Sequence, residues 1–570
     1  MNTSTRATAH AALSETQRWH RAAQQLGIDA CYQDGLGQTC TAPLETIRAA
    51  MAAMGAPITS PAAALRWIGT QQVRPSPVKV AWDGGNGNTL VPYGCHQNER
   101  GFTLSAPRRY PAQSAPRVGA FLPLYALRSE RSLGIGDLSD LGMLARACER
   151  DFGFVATLPL FANFTDDAGA DASKFDPSPY APISRSFFSE LYLDPRATPE
   201  WDTCTEAHTA LEARRPALAE ELAQPNVDYA KVARLRRPVL QALADAAGEL
   251  GEGDVVDYAH FRAHGDPNES RFHRYVQVRI AEQLEALSDK ASLYLDLPVG
   301  VHRAGFDADR FAGDFLPGFS AGAPPDAMFR SGQCWGISAL NPIGARKSAY
   351  ASLRAGVETL SRYARLLRLD HVMALHRTFC VPDGAEASEG VYIRAQPEEL
   401  YAALLATAAS AKRPPVLIGE DLGTVPAAVR KSLALHGVLG MHVAQLEPAL
   451  PVVAGSCASI NTHDLATFAA YAAGDDLRDF ADLGFLESAE LEASLVTRSE
   501  SVAVAGTYAA IKAHVVESEA AHVVLNLEDE WGERRPQNTP GTSTERANFK
   551  RRAALSLSAL SEHLNADPTA

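Results

Sequence analysis

Three carboxylates in this chain stand where a short apolar run gives way to a polar loop. Leu366-Leu-Arg-Leu-Asp370 ends in one, Pro415-Val-Leu-Ile-Gly-Glu420 in another, and Ser456-Cys-Ala-Ser-Ile-Asn-Thr-His-Asp464 in the third. Strand alternation puts Arg368 and Asp370 on one face and Leu367 and Leu369 on the other. A guanidinium beside an aspartate favours the charged form, so Arg368 is expected to hold Asp370 ionised and ready to attack. Glu420 follows an apolar run, and desolvation there is expected to raise its pKa and suit it to general acid work. Asp464, next to His463, would face developing positive charge, and Asp296, ending Tyr294-Leu-Asp296, is a fourth acid of the same kind. A nucleophile and an acid/base on neighbouring strand ends is the equipment of a retaining glycoside reaction.

Each acid has an ordinary explanation when taken singly. Asp464 precedes Leu-Ala-Thr-Phe and could cap a helix, Asp421 could form a turn, and Asp370 could be half of a structural ion pair. Their convergence on the ends of strands in one sheet favours chemistry. A rival reading takes the same acids as Mg²⁺ ligands of an enolase-type barrel, but no lysine stands at any of these strand ends to serve as the base.

The elements that must hold these residues are eight apolar runs, at 118–124, 153–161, 292–297, 366–372, 415–420, 439–446, 456–462 and 522–527. Helical stretches, such as 137–150, 347–366 and 397–410, separate most of them. Alternating βα units with eight strands predict an α/β fold, a (β/α)₈ TIM barrel, over residues 116–560. The gap at 162–291 is too long for one crossover, and its second half is rich in Ala, Leu, Glu and Arg, so it reads as a helical insertion. Residues 1–115 read as an N-terminal extension, helical at 13–26 and 43–54, then a small β module around Val78-Lys-Val-Ala-Trp82 and Phe102-Thr-Leu-Ser105.

The bulk numbers agree with an enzyme of this size. The 570 residues carry 67 acids against 53 bases, a net charge of −14 that argues against nucleic acid or an anionic membrane as partner. Eight cysteines without CxxC spacing read as reduced thiols rather than disulfides or zinc ligands. The first residues lack a basic-then-apolar leader and no apolar run is long enough to span a bilayer, so a cytoplasmic location is expected. No oligomeric state is legible.

The motifs taken together resemble the amylomaltases, the bacterial 4-α-glucanotransferases of glycoside hydrolase family 77. The resemblance spans roughly 118–555 and rests on Leu133-Gly-Ile-Gly-Asp-Leu-Ser-Asp-Leu141, Ser178-Pro-Tyr-Ala-Pro-Ile-Ser-Arg185, Asp296-Leu-Pro-Val-Gly-Val301, Gly322-Ala-Pro-Pro-Asp326 and Gly332-Gln-Cys-Trp-Gly336. It continues through Arg368-Leu-Asp-His-Val-Met373, Gly419-Glu-Asp-Leu-Gly-Thr424, Asn461-Thr-His-Asp464 and Asn538-Thr-Pro-Gly-Thr542. The texture Gly27-Ile and Tyr32 to Gly35 is similar to the extension of the longer members. The resemblance implies Asp370 as nucleophile, Glu420 as acid/base and Asp464 as the third, transition-state-stabilising carboxylate. It further implies that Arg368, His371 and His463 orient the donor sugar, and that Asp296, Asp326, Trp335, Tyr180 and Asn461 contribute to glucan binding. The implied reaction moves a 1,4-α-glucan segment between malto-oligosaccharides without metal or organic cofactor. Five positions depart from the family pattern, Ala374 where Gly is common, Cys380 where an aromatic is, Cys334 where Asn or Asp is, and Phe161 and Ser189 where His and Asn are expected, and they bear on sugar fit rather than on the acids. A hydrolase using the same three acids, and an inactive glucan-binding protein, are the remaining alternatives.

Overall fold

The computed structural model describes residues 13–73, 76–86, 89–111, 113–164, 177–326, 329–448 and 450–565. All eight predicted runs are parallel strands of one sheet: β1 (Val118–Phe121), β2 (Phe154–Ala156), β3 (Leu293–Leu297), β4 (Ala364–Leu369), β5 (Val416–Gly419), β6 (Met441–Val443), β7 (Cys457–Ser459) and β8 (His522–Asn526). Neighbours follow chain order, β8 returns to β1, and a parallel bridge between Ile418 and Leu439 joins β5 to the start of β6. The sheet is therefore a closed (β/α)₈ barrel, as expected.

Strand alternation sorts the barrel residues. Phe154, Ala156, Tyr294, Leu366, Val416, Ile418 and Cys457 form an apolar interior of their own, while Leu367, Leu369 and Leu417 pack outward against the helical ring. Continuing the inward series gives Asp296 after Tyr294, Arg368 and Asp370 after Leu366, and Glu420 after Ile418. The polar layer thus rests directly on an apolar plug, where water is scarce.

The helices Leu138–Cys148, Ala351–Ser361 and Pro397–Ala409 fall inside the stretches read as helical. Asp137 caps the first by accepting from the Ser139 and Asp140 amides at 3.0 and 3.1 Å, so part of the Leu133–Leu141 motif is a helix start rather than chemistry. The helix Pro397–Ala409 is buried nearly all round, because a three-stranded sheet (Val78–Trp82, Gly94–Asn98, Gly101–Ala106) covers the side that would otherwise face water. In the long insertion, helices Thr205–Glu212, Arg215–Leu222 and Tyr229–Ala247 occupy the Ala/Leu/Glu/Arg-rich half.

A second sheet was not legible. Phe315–Ala323 and Gln333–Leu340 form a hairpin after β3, and Arg377–Pro382 with Val391–Arg394 form another after β4. Both lie in what a barrel reading treats as strand-to-helix loops. The two hairpins join antiparallel, and Ile28–Asp29 from the N-terminal segment adds a fifth strand at the edge, with Ile28 opposite Ile393. The N-terminal helices Glu15–Leu26 and Leu44–Ala53 cover one face of this sheet through Trp19, Ala22, Ile47 and Met51 against Phe319, Ala321, Cys380 and Ile393.

Gly119 on β1 lies under the Phe154 ring, where a β-carbon would fall 2.1 Å from a ring carbon. Gly119→Ala is expected to lower unfolding free energy by about 1–3 kcal/mol in urea titration, as overpacking does, with Phe154→Leu restoring part of it.

Candidate active site

Register builds the site. In the parallel pairing of β3 with β4, Asp296 is the partner of Arg368, and Leu369 of β4 is the partner of Gly419 of β5. One residue beyond, Asp370 and Glu420 leave adjacent strand ends together. The pairing persists past the strands, since the Glu420 amide donates to the Leu369 carbonyl at 2.9 Å and the Asp370 amide to the Leu297 carbonyl at 3.0 Å. His371 then takes a left-handed conformation, φ 46°, uncommon for a residue with a side chain. That turn aims the His371 amide at Glu420 Oε2, 2.9 Å away, while the Leu422 amide donates to Oε1 at 2.7 Å.

Arg368 is buried and its Nη1 is shared. It donates to both Asp296 oxygens at 2.7 and 2.8 Å, and lies 3.0 Å from Asp370 Oδ1. The Tyr180 hydroxyl completes Asp296, donating to Oδ2 at 2.6 Å. The expectation that Arg368 lowers the Asp370 pKa needs correction. Burial pushes the Asp370 carboxyl above the ordinary aspartate range, Arg368 offsets only part of this, and Asp296 and Glu420 add to the rise. One guanidinium cannot neutralise two carboxylates, and sequence alternation gave no sign that Asp296 would compete for it.

Glu420 behaves as expected. Burial raises its pKa, held back by Arg368 and the two amides, with Asp464 adding to the rise. Asp464 goes the other way. Burial opposes its ionisation, yet His463 Nε2 at 3.3 Å and the Asn538 amide, which donates to Oδ1 at 2.7 Å, bring its pKa down to about 2. Burial lowers the His371 pKa, so its ring stays neutral. Two acids inclined to hold protons and one fixed as an anion is a division of labour that serves acid/base chemistry beside a developing cation.

A cleft of about 490 Å³ opens over these groups. Asp370, His371, Glu420, Asp464, Tyr180 and Trp335 line it. Tyr180 stacks on His463 with centroids 5.0 Å apart and planes 10° apart, and Trp335 meets His371 edge-on at 5.0 Å. Asp296 and Arg368 lie beneath, with Arg368 in contact with Asp370. Of the sugar contacts expected from resemblance, Asn461 lines the cavity beneath the cleft together with Asp296, Arg368 and His463. Asn461 turns inward, donating to Asp529 at 2.8 Å and accepting from Asn526 at 3.1 Å. Asp326 closes its own turn, accepting from the Phe329 amide at 2.7 Å, and sits against Gly35 rather than on the cleft wall. Of the departures, Phe161 stacks on Phe188 at 5.6 Å and Ser189 caps a short 3₁₀ turn, both away from the acids.

Two cleft residues were missed as site residues. Asn538 was visible only as a member of the Asn538–Thr542 motif, and nothing in the spacing tied it to Asp464, 74 positions earlier. Phe549, packed at a tilt against Tyr180 and His463, carries no local signal beyond being aromatic.

Comparison with known proteins decides the class. The family model for 4-alpha-glucanotransferases, glycoside hydrolase family 77, matches residues 122–268 and 258–557. The chain belongs to that family. It is 31% identical to the 4-alpha-glucanotransferase of Mycobacterium tuberculosis over 76% of this chain and 70% of the relative. The Haemophilus influenzae 4-alpha-glucanotransferase is 26% identical, over 66% of this chain and 63% of the relative. The crystal structure of amylomaltase from Corynebacterium glutamicum shares the fold, with a TM-score of 0.83 at 22% identity, covering 96% of this chain and 98% of that one. As a 4-alpha-glucanotransferase, the enzyme transfers α-glucan segments, and of the readings left open by the sequence, transfer stands over hydrolysis. Among the described residues, no helix is long and apolar enough to cross a membrane.

Asp296 raises the Asp370 pKa and competes for Arg368. Asp296→Asn removes that negative charge, so Asp370 should ionise at lower pH. The acid limb of the kcat/KM profile is expected to move down, while kcat falls because Tyr180 and Arg368 lose their anchor. An acid limb that stays put or moves up would contradict the sharing of Arg368.

Proposed function

We propose that Asp370, Glu420 and Asp464 carry out transfer of 1,4-α-glucan segments between malto-oligosaccharides by a retaining double displacement. The observation supporting this most strongly is the pair of adjacent strand ends on which Asp370 and Glu420 sit, one beside a shared guanidinium and the other gripped by two backbone amides.

In the first half-reaction, protonated Glu420 gives its proton to the glycosidic oxygen as the bond from C1 to that oxygen breaks. A carboxylate oxygen of Asp370 bonds to C1, and the leaving chain departs with a free 4-hydroxyl. Asp464, ionised far below neutrality, faces the oxocarbenium-like charge between the two states. In the second half-reaction, Glu420 takes the proton of an incoming 4-hydroxyl, which attacks C1 and expels Asp370. Two inversions give net retention. Tyr180, Trp335, His371 and His463 are assigned to sugar contacts, with Asp296 and Arg368 orienting and tuning the nucleophile from below. Residues 1–115 are assigned as an extension of the catalytic unit, and the cytoplasm as its place of work.

Incubating the protein with maltotriose should yield glucose and a ladder of longer malto-oligosaccharides on chromatography; glucose and maltose without a ladder would make hydrolysis the reaction. Asp370→Asn should lower turnover by roughly 10⁴-fold or more with the far-UV circular dichroism unchanged. Glu420→Gln should lose far more activity on natural glucans than on aryl donors, whose leaving groups need no proton. Equal losses on both donor types would remove Glu420 from the acid/base role.

A further inference from the structure

No catalytic role falls to the N-terminal segment around Tyr32–Gly35, yet this segment packs against the connection that leads into the wall of the cleft. Cys31–Gln33 and Thr39–Thr41 pair as a hairpin whose turn is fixed by the buried Asp34 side chain, accepting from the Leu36 and Gln38 amides at 2.9 and 2.8 Å. Tyr32 anchors the hairpin edge-on against Phe379 and Tyr392, at 5.4 and 5.5 Å, on the second sheet. The turn then presents Gly35. Its amide donates to the Pro325 carbonyl at 2.8 Å, and a β-carbon there would fall 2.4 Å from Asp326 Cβ and 2.9 Å from its Cα. Gly35 is not among the positive-φ glycines, so its backbone alone does not require glycine. Close approach does.

Pro325 and Asp326 belong to the connection within the hairpin after β3. Asp326 holds Phe329 by two hydrogen bonds, its side chain accepting from the Phe329 amide at 2.7 Å and its own amide donating to the Phe329 carbonyl at 3.0 Å, and the Gly332 amide donates to the same carbonyl at 2.8 Å. From Gly332 the chain runs directly into Gln333, Cys334 and Trp335, which line the cleft, and Trp335 abuts His371, whose amide grips Glu420. In the other direction Phe329 crosses to the far wall. It fills the space over Gly541, where a β-carbon would lie 2.4 Å from the ring, and meets Phe485 edge-on at 5.9 Å. Gly541 lies on the same loop as Asn538, which holds Asp464.

We infer that the Asp34–Gly35 turn of the N-terminal segment is a positioning element for the 4-alpha-glucanotransferase site, acting as the abutment of Pro325 and Asp326, and through them of Phe329 and Gly332–Trp335, and so setting how an acceptor glucan is seated. This rests on the assignment of the cleft to glucan transfer. Gly35 touches no reacting group in this account. Moving Pro325 and Asp326 shifts Gly332–Trp335 and Phe329 together, a change in the walls rather than in the acids. The effect should therefore fall on acceptor use in the second half-reaction, not on formation of the glycosyl-enzyme.

The test uses the full chain with an aryl α-maltoside as donor and glucose as acceptor. The kcat/KM of aryl release with respect to donor reads the first half-reaction, and the acceptor KM reads the second. Gly35→Ala and Gly35→Val should raise the acceptor KM in graded fashion, reaching roughly three- to tenfold for Val, since small displacements of a binding wall are felt in orientation. The donor kcat/KM for aryl release should stay within about twofold, because the reacting groups are untouched. Gly37→Asn, in the same turn but with open space around its β-carbon and a φ of 76° that Asn accepts, should leave the acceptor KM unchanged. Ala serves if Val does not fold. An unchanged acceptor KM in a folded Gly35→Ala or Gly35→Val protein would overturn the inference, as would equal shifts in Gly35→Ala and Gly37→Asn. Failure of the wild-type protein to transfer to glucose at all would instead count against the assignment of the cleft.

Discussion

One guanidinium serves two carboxylates, one buried and one half-buried, and much of this site follows from that shortage of positive charge. Arg368 Nη1 lies within 3.0 Å of both Asp296 and Asp370, in a layer set directly on the apolar interior of the barrel. Replacing such a partner with a neutral side chain leaves uncompensated buried charge, at a cost of about 3–5 kcal/mol. With Arg368 divided, Asp370 is less firmly ionised than a simple pair would make it, and in the proposed mechanism its negative charge is free to pass to an anomeric carbon. Full possession of the guanidinium would make it a better ion-pair partner and a poorer nucleophile.

The rest of the site answers the same constraint by dipoles rather than by further cations. Glu420 is held by two backbone amides, one of them aimed by the left-handed turn at His371. Asp464 is held by His463 and Asn538. The carboxylates thus sit in three different electrostatic settings within one cleft, and burial acts on each with a different opponent. In the proposed mechanism nucleophile, acid/base and permanent anion are separated by surroundings, since by residue type they are nearly interchangeable.

Much of this was legible in the chain. Eight apolar runs, most separated by helical periodicity, define the barrel, because a parallel strand buried on both faces has few ways to be written. The acids were legible because each ends such a run. Lateral information was not. Alternation places Arg368 beside Asp370 along β4, but only the β3–β4 register brings Asp296 to the same guanidinium. Asn461 has the chemistry of a sugar ligand, and its strand end turns it instead toward Asp529 and Asn526. The second sheet escaped notice because its strands come from two barrel loops and a distant N-terminal segment, and no one stretch carries the pattern.

The most direct test of this account is to identify the carboxylate that becomes glycosylated. Glu420→Gln protein treated with α-maltotriosyl fluoride, which needs no acid to leave, should accumulate the glycosyl-enzyme, and peptide mass spectrometry should place the glucan on Asp370. A glucan found on Asp464 or Asp296 would contradict the division of roles, and with it the function ascribed to the shared arginine.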